Sequence, residues 1–274
     1  MSAFLGRPFY KMSGSGNDFV VFDTRGEPAG ELKSQRDITT ICARGTGVGA
    51  DGAVFLVDHP EADIGLHYYN ADGLPASLCG NATLCIANLA VTLGCVDPSG
   101  FRIATDAGVV QARIRDNLPE FDLPAVADVQ PDYQSIGRVS GETRLGYAMV
   151  GVPHIVIQVQ DISMIDIVGR SRPIRHDPSL PFGANVNFVS RRPDGRWAIR
   201  TYERGVEDET LACGTGNVAA AVLLRIWDEA NGDVELLTKS GRTLKVRLRR
   251  DQGGWHPSLN GEGRLVFRGE IVGL

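Results

Sequence analysis

Leu78-Cys79-Gly80-Asn81-Ala82-Thr83-Leu84-Cys85 in the first half of the chain and Ala212-Cys213-Gly214-Thr215-Gly216-Asn217 in the second follow one pattern. Each has Cys-Gly, then a polar residue, then an apolar run. Each is preceded by an acidic, turn-forming stretch, Asn70-Ala71-Asp72-Gly73 in one case and Glu203-Arg204-Gly205 in the other. The runs from Cys79 to Leu93 and from Cys213 to Trp227 are rich in Ala and Leu and free of internal proline, which predicts two central, largely buried helices.

Around them the sequence reads as strand. Asp18 to Asp23, Ala53 to Val57, Ile64 to Tyr69, Val109 to Ile114, Ile155 to Val159 and Val234 to Thr238 are short β-branched or aromatic runs. The class is therefore α+β. Asn117 to Asp132 carries three prolines, acidic residues and little periodicity, so a domain boundary is expected near residue 124. A length of 274 residues suits two medium domains.

Composition narrows the function. With 28 basic and 33 acidic side chains the formal charge is −5, and no basic run offers the footprint that nucleic acid or an anionic membrane needs. The first ten residues lack the apolar core of a signal peptide, and no apolar stretch approaches the roughly 18 residues of a membrane span. A cytoplasmic enzyme acting on a small molecule is expected. The five cysteines, at 42, 79, 85, 95 and 213, are an odd number in a chain too long to need disulfide staples, which predicts reduced thiols.

A thiol at a helix N-terminus sits beside unpaired backbone N–H groups and about half a positive charge, conditions that favour thiolate. The same N–H groups bind anions, and glycine after the cysteine admits a ligand carboxylate close to the backbone. If the halves pack face to face, one thiolate removes the proton from the carbon next to that carboxylate and the other thiol returns one to the opposite face. Such a reaction inverts a stereocentre and needs no metal or organic cofactor. The plain alternative for any single cysteine is a small buried hydrophobe, and that role is expected of Cys42, Cys85 and Cys95, which lack the Cys-Gly-polar continuation. A metal site is not expected, because Cys79 and Cys85 have neither C-x-x-C spacing nor a neighbouring histidine.

Two glycine patterns have other readings. Gly47-Val48-Gly49-Ala50-Asp51-Gly52 matches G-x-G-x-x-G but precedes a strand, so a tight turn is expected. Gly214-Thr215-Gly216-Asn217-Val218-Ala219 opens a helix, and Glu235 follows at a distance that keeps a nicotinamide-binding reading open.

Taken together, these motifs resemble the diaminopimelate epimerase family of cofactor-independent two-thiol enzymes. Lys11-Met12, Gly14 and Gly16-Asn17-Asp18-Phe19 are similar to the family's opening motif, and Arg44 to Gly52 to its glycine-rich turn. Asn70 through Asn81 resembles the first cysteine motif. Thr105-Asp106-Ala107-Gly108, Gly151-Val152-Pro153-His154 and Asn185-Val186-Asn187-Phe188 follow in family order, and Glu203-Arg204-Gly205 leading to Ala212 through Gly216 is the most specific match.

The resemblance implies two pseudo-symmetric α+β domains, 1–124 with Cys79 and 125–262 with Cys213, each wrapping strands around a central helix. The site would lie in the cleft between them. Residues 263–274 are expected to form a C-terminal strand returning to the first domain, and the chain to be a homodimer. It implies Cys79 and Cys213 as the acid–base thiols, and Gly80, Asn81, Gly214 and Thr215 as backbone donors to the reacting carboxylate. Glu203 and Arg204 would hold substrate amino and carboxylate groups. Asn17, Asn70 and Asn185 would read the remainder, including the distal amino-acid head, since amides supply both donors and acceptors. Gly52 and His154 join the candidate set, His154 with a turn-anchored structural role as its alternative.

The chain departs from the family pattern at Ala82 and Leu84, where glycine and arginine are usual, at Ser13, where histidine is common, and at Val152, where many members use asparagine on the distal head. The expected activity is epimerisation of LL- to meso-diaminopimelate in lysine biosynthesis. The alternatives are a racemase of a single-headed amino acid such as histidine, and a non-catalytic amino-acid binder.

Overall fold

The computed structural model describes residues 4–27, 34–76 and 78–273, and the chain divides into two compact units. Unit 1 is Met1–Phe121 with Gly261–Leu274, and unit 2 is Asp122–Asn260. The division at Phe121 falls slightly before the boundary expected at 124, inside the run Asn117 to Asp132. That run is not structureless: strands Leu118–Asp122 and Val129–Gln130 lie within it.

In unit 1 the sheet runs Arg264–Glu270, Pro8–Gly14, Asn17–Asp23, Gly52–Val57, Ile64–Asn70, Phe101–Thr105, Gly108–Arg115, Leu118–Asp122. Two neighbours are parallel, Asn17–Asp23 with Gly52–Val57 and Ile64–Asn70 with Phe101–Thr105. A parallel pair needs a crossover. Helix α1 (Gln35–Cys42) fills the first crossover and helix α2 (Gly80–Thr92) the second.

Unit 2 repeats this plan. Its order is Val129–Gln130, Glu142–Val150, Val152–Val159, Asn185–Arg191, Trp197–Glu203, Val234–Leu237, Thr243–Asp251, Gly254–Asn260. The parallel pairs recur at the same two places, Val152–Val159 with Asn185–Arg191 and Trp197–Glu203 with Val234–Leu237. Helix α3 (Ile167–Arg175) and helix α4 (Gly214–Ile226) fill the crossovers.

Side chains alternate across a strand, so a sheet covered on both faces needs strands that are apolar throughout. In unit 1, Val20, Phe22, Ala53, Phe55 and Val57 pack with Ile38, Ile41 and Cys42 of α1. The intervening Phe19, Val21, Val54 and Leu56 face the other way, toward the side α2 takes, and all are buried. In unit 2, Ile155, Ile157, Val186, Phe188 and Tyr202 pack with Ile167 and Ile174 of α3. The opposite face carries His154, Asn187 and Thr201 toward α4. Helix α4 touches strands from both ends of its sheet, as α2 does in unit 1, so each sheet curls around one helix. Among the described residues no helix is long and apolar enough to cross a membrane.

Candidate functional site

Cys79 and Cys213 are the N-cap residues of α2 and α4. Their backbones coincide, with φ −123° and ψ 112° at Cys79 and φ −125° and ψ 112° at Cys213. Each helix has 13 residues, and neither N-cap makes a side-chain capping hydrogen bond. Within each helix the first backbone bonds are Thr83 N to Cys79 O at 2.9 Å and Asn217 N to Cys213 O at 3.0 Å. The N–H groups of 80–82 and 214–216 therefore have no acceptor in their own helices. Serine, threonine or aspartate at the cap would turn a side-chain oxygen onto such groups; neither thiol does. Cys79 is half-buried and Cys213 is buried.

In unit 1 the start of α2 is tied to the first hairpin. Asn81 Nδ2 donates to Asn17 Oδ1 at 2.6 Å, and Asn17 Nδ2 donates to Asp51 Oδ2 at 3.1 Å. Gly14 lies so close that a Cβ there would meet Asn81 O at 2.5 Å. Asp51 and Asp18 form a lattice with Arg44 and Lys11: Arg44 Nη2 reaches Asp18 Oδ1 at 2.6 Å and Asp51 Oδ1 at 2.7 Å, and Lys11 Nζ reaches Asp18 Oδ2 at 2.6 Å and the Gly49 carbonyl. Burial acts to raise the Asp18 pKa, but the hydrogen bonds from Arg44 and Lys11 outweigh it and hold the carboxyl below its ordinary value. Tyr68 donates its hydroxyl hydrogen to Asn70 Oδ1 at 2.9 Å.

In unit 2 a buried polar layer lies under α4. Asn187 Oδ1 accepts from Thr201 Oγ1 at 3.0 Å, and Asn187 Nδ2 donates to Ile155 O at 3.0 Å. The carbonyl oxygen of Ile155 can only accept, so the Asn187 amide is fixed, and its Nδ2, 3.2 Å from His154 Nδ1, donates there too. The His154 proton is thereby assigned to Nε2, which has no hydrogen-bond partner among the described residues. Burial, aided by the charge of Arg204, lowers the His154 pKa to about 3, so the ring is neutral at physiological pH. His154 lies inside strand Val152–Val159 and is fully buried, so the turn-anchored reading is corrected.

Near it, Asn185 Oδ1 accepts from the Arg204 backbone N–H at 2.8 Å, while the Arg204 guanidinium donates to Phe182 O at 2.8 Å. Glu203 ends its strand and accepts from Thr210 Oγ1 at 2.5 Å. The Cys213 Sγ lies 3.6 Å from Thr215 Oγ1.

Because the units share a register, their positions can be matched. Phe19 pairs with Gly52 across a parallel junction, as His154 pairs with Asn185. Val54 pairs with Tyr68, as Asn187 pairs with Thr201. By the same offset Asn17 matches Val152 and Asn70 matches Glu203. One backbone plan thus supports an apolar layer in unit 1, where Phe19 and Tyr68 meet edge to face with centroids 5.9 Å apart, and a hydrogen-bonded layer in unit 2.

The remaining sequence candidates fall into place by packing. Cys42 and Cys85 are buried and burial raises their thiol pKa values, Cys42 to about 12, as befits inert core residues. Cys95 departs from that expectation: it is half-buried just past the end of α2, because the helix stops and its N–H turns back to Ala90 O. Residues 43–51 form a loop between α1 and strand Gly52–Val57, longer than the tight turn expected over Gly47 to Gly52, with its turn at 44–46, Gly49 at φ +76° and Gly52 opening the strand. Gly216 has a local reason to be glycine, since a Cβ would meet Asn187 Oδ1 at 2.3 Å. Glu235, the acidic partner of the nicotinamide reading, is ion-paired to Lys245 at 3.0 Å. Asp51 and Asn187 had no role assigned from sequence. Their acceptor or donor chemistry was visible, but only strand register shows which side chains they hold.

The family model for diaminopimelate epimerase matches residues 9–125 and 146–258. A diaminopimelate epimerase of Gemmatimonas aurantiaca is 48% identical over 97% of this chain and 99% of its own length. One of Aquifex aeolicus is 37% identical over 96% of this chain and 97% of its own. Among solved structures, a Bacillus anthracis phenazine biosynthesis protein of the PhzF family superposes with a TM-score of 0.75 at 15% identity, covering 97% of this chain and 98% of that one. A hydroxyproline epimerase of Agrobacterium vitis superposes at 0.67 with 18% identity, covering 99% and 94%. These distant structures share the fold.

Proposed function

Because the chain belongs to the diaminopimelate epimerase family, we propose that it interconverts LL- and meso-diaminopimelate, using Cys79 and Cys213 on opposite faces of one α-carbon. The observation that carries this reading is the pair of cysteine-capped helices with matching cap geometry, neither of which spends its N-cap side chain on a capping hydrogen bond.

In one direction a thiolate takes the α-hydrogen as a proton, and the electron pair left on carbon delocalises into the substrate carboxylate. Backbone N–H groups of Gly80, Asn81, Gly214 and Thr215 stabilise that charge. The other thiol gives its proton to the opposite face, so the two sulfurs exchange protonation states over one turnover. Glu203 and Arg204 hold amino and carboxylate groups. Asn17, Asn70 and Asn185 read the rest of the molecule, and Gly52, the register counterpart of Asn185, leaves room beside it. His154, neutral and with its proton on Nε2, is a donor and not a base.

The reaction is assigned to lysine biosynthesis, in a cytoplasm reducing enough to keep both sulfurs at the thiol level, and the enzyme to a homodimer. Incubation with diaminopimelate in D2O is expected to wash out the α-proton NMR signal. Cys79→Ala and Cys213→Ala are each expected to lower the rate by at least about a thousandfold, as for loss of an acid–base group acting in a concerted unit. Retention of the parent rate in either variant would sink the two-thiol mechanism.

A second reading is a racemase of a single-headed amino acid. It is favoured by Val152, which stands at the register position of Asn17 and offers the distal head no hydrogen bond. A hydrogen-bonding pocket discriminates far more sharply than an apolar one. Exchange with histidine or proline, and none with diaminopimelate, would select it.

A further inference from the structure

We propose that Asp51 is a positioning residue that fixes which end of the Asn17 amide faces Asn81 and which faces outward to substrate. The inference rests on the reading above, in which Asn17 and Asn81 contact the substrate.

An asparagine amide flips readily between two orientations of equal shape, and only its neighbours choose. A carboxylate only accepts. With Asp51 Oδ2 at 3.1 Å from Asn17 Nδ2, the nitrogen end must point to Asp51 and the oxygen end to Asn81 Nδ2, 2.6 Å away. Asp51 is itself immobilised. Its Oδ2 also accepts from the Asp18 N–H at 3.1 Å, its Oδ1 accepts from Arg44, and its own N–H donates to Asp18 O at 2.9 Å. The orientation thus passes from the Arg44 side of the lattice, through Asp51 and Asn17, to Asn81, two residues beyond Cys79. One N–H and one lone pair of Asn17 remain, in a fixed arrangement, for an amino-acid ligand.

Asp51→Asn sets two neighbours against each other. An amide there has one accepting atom for three donors: with its oxygen on Arg44, its NH2 faces both the Asp18 N–H and Asn17, and Asn17 must reverse. The expected result is a KM for diaminopimelate raised about tenfold with kcat within about twofold, the pattern of lost uniform binding. Adding Arg44→Met removes the competing donor, lets the amide oxygen at 51 return to Asn17 and the Asp18 N–H, and is expected to bring KM back to within about threefold of the parent. A residue that merely stabilised the turn would do no better in the double variant, since a further ion pair has been lost.

The second readout needs no catalysis: the 15N side-chain amide resonance of Asn17, identified by its loss in Asn17→Ala. It is expected to shift in Asp51→Asn and to return toward the parent position in the double variant. An unmoved resonance, or a double variant no better than the single one, overturns the proposal. A parent that exchanges no α-proton of diaminopimelate would overturn the substrate reading instead, and the resonance would still decide the role of Asp51. Where Asp51→Asn fails to fold, Asp51→Glu decides: the acceptor-only group is expected to keep KM within about threefold, and a tenfold rise overturns the claim.

Discussion

The His154 ring is fully buried and its Nδ1 is committed to Asn187, so protonating it would put a charge where water cannot reach and break an accepted hydrogen bond. With a folded pKa of about 3 against an ordinary 6.5, the unfolded chain binds the proton first as pH falls. Stability from this group is therefore complete above about pH 6.5, declines through the window from 6.5 to 3, and is gone below it. At pH 5 the difference amounts to about 2 kcal/mol. Urea unfolding at pH 7 and pH 5 is expected to show a loss of that size in the parent that His154→Gln lacks; equal losses in both would show that the ring charges in the folded state. The sequence placed His154 beside the candidate site without assigning its protonation. That depends on Asn187, on the neighbouring strand, and on Thr201, one strand further.

At the level of elements, α2 and α4 were legible because they are buried all round, so composition alone marks them. Helices α1 and α3 were not. Helix α1 has eight residues, QRDITTIC, of which Ile38, Ile41 and Cys42 are buried. Helix α3 carries Pro173 inside it. Each nevertheless has a capping signal: Ser34 accepts from the Asp37 N–H at 3.2 Å and Asp166 from the Gly169 N–H at 3.0 Å. Short helices over a sheet get their stability from packing, which a local pattern does not report. Gly216 separates the two kinds of information. By helix propensity Gly216→Ala gains up to about 1 kcal/mol. In the folded unit its Cβ would lie 2.3 Å from Asn187 Oδ1 and 3.3 Å from Cys213 Cβ, and overpacking costs about 1–3 kcal/mol. Calorimetry is expected to show a lower melting temperature for Gly216→Ala; an increase would mean that Asn187 moves aside and that the polar layer is soft.

Over the whole molecule, the two units share strand order, parallel junctions and crossover helices, while the sequence betrays the duplication only at the two cysteine motifs. The reason lies in the layer beneath each helix start: Phe19, Val54 and Tyr68 in one unit and His154, Asn187 and Thr201 in the other satisfy the same backbone with unrelated side chains. The units also differ in how the sheet is closed at one edge. In unit 2 the edge strand is Val129–Gln130, which precedes its partner Glu142–Val150 in the chain. In unit 1 it is Arg264–Glu270, from the far end of the chain, laid antiparallel on Pro8–Gly14 and reinforced where Asn88 Nδ2 of α2 donates to Gly263 O at 2.6 Å. Unit 1 therefore depends on a strand more than 240 residues away in the chain from the strand it pairs with. Deleting 261–274 strips the ladder from Pro8–Gly14 and uncovers Phe9, which rests edge-on against Phe267 with centroids 6.0 Å apart. Hydrogen-exchange mass spectrometry of the truncated chain is expected to show protection lost across 8–23 and 80–92 and kept across 152–159 and 185–191. Uniform loss across all four segments would mean that the two units unfold together, and unchanged protection at 8–23 that the first hairpin holds without its C-terminal strand.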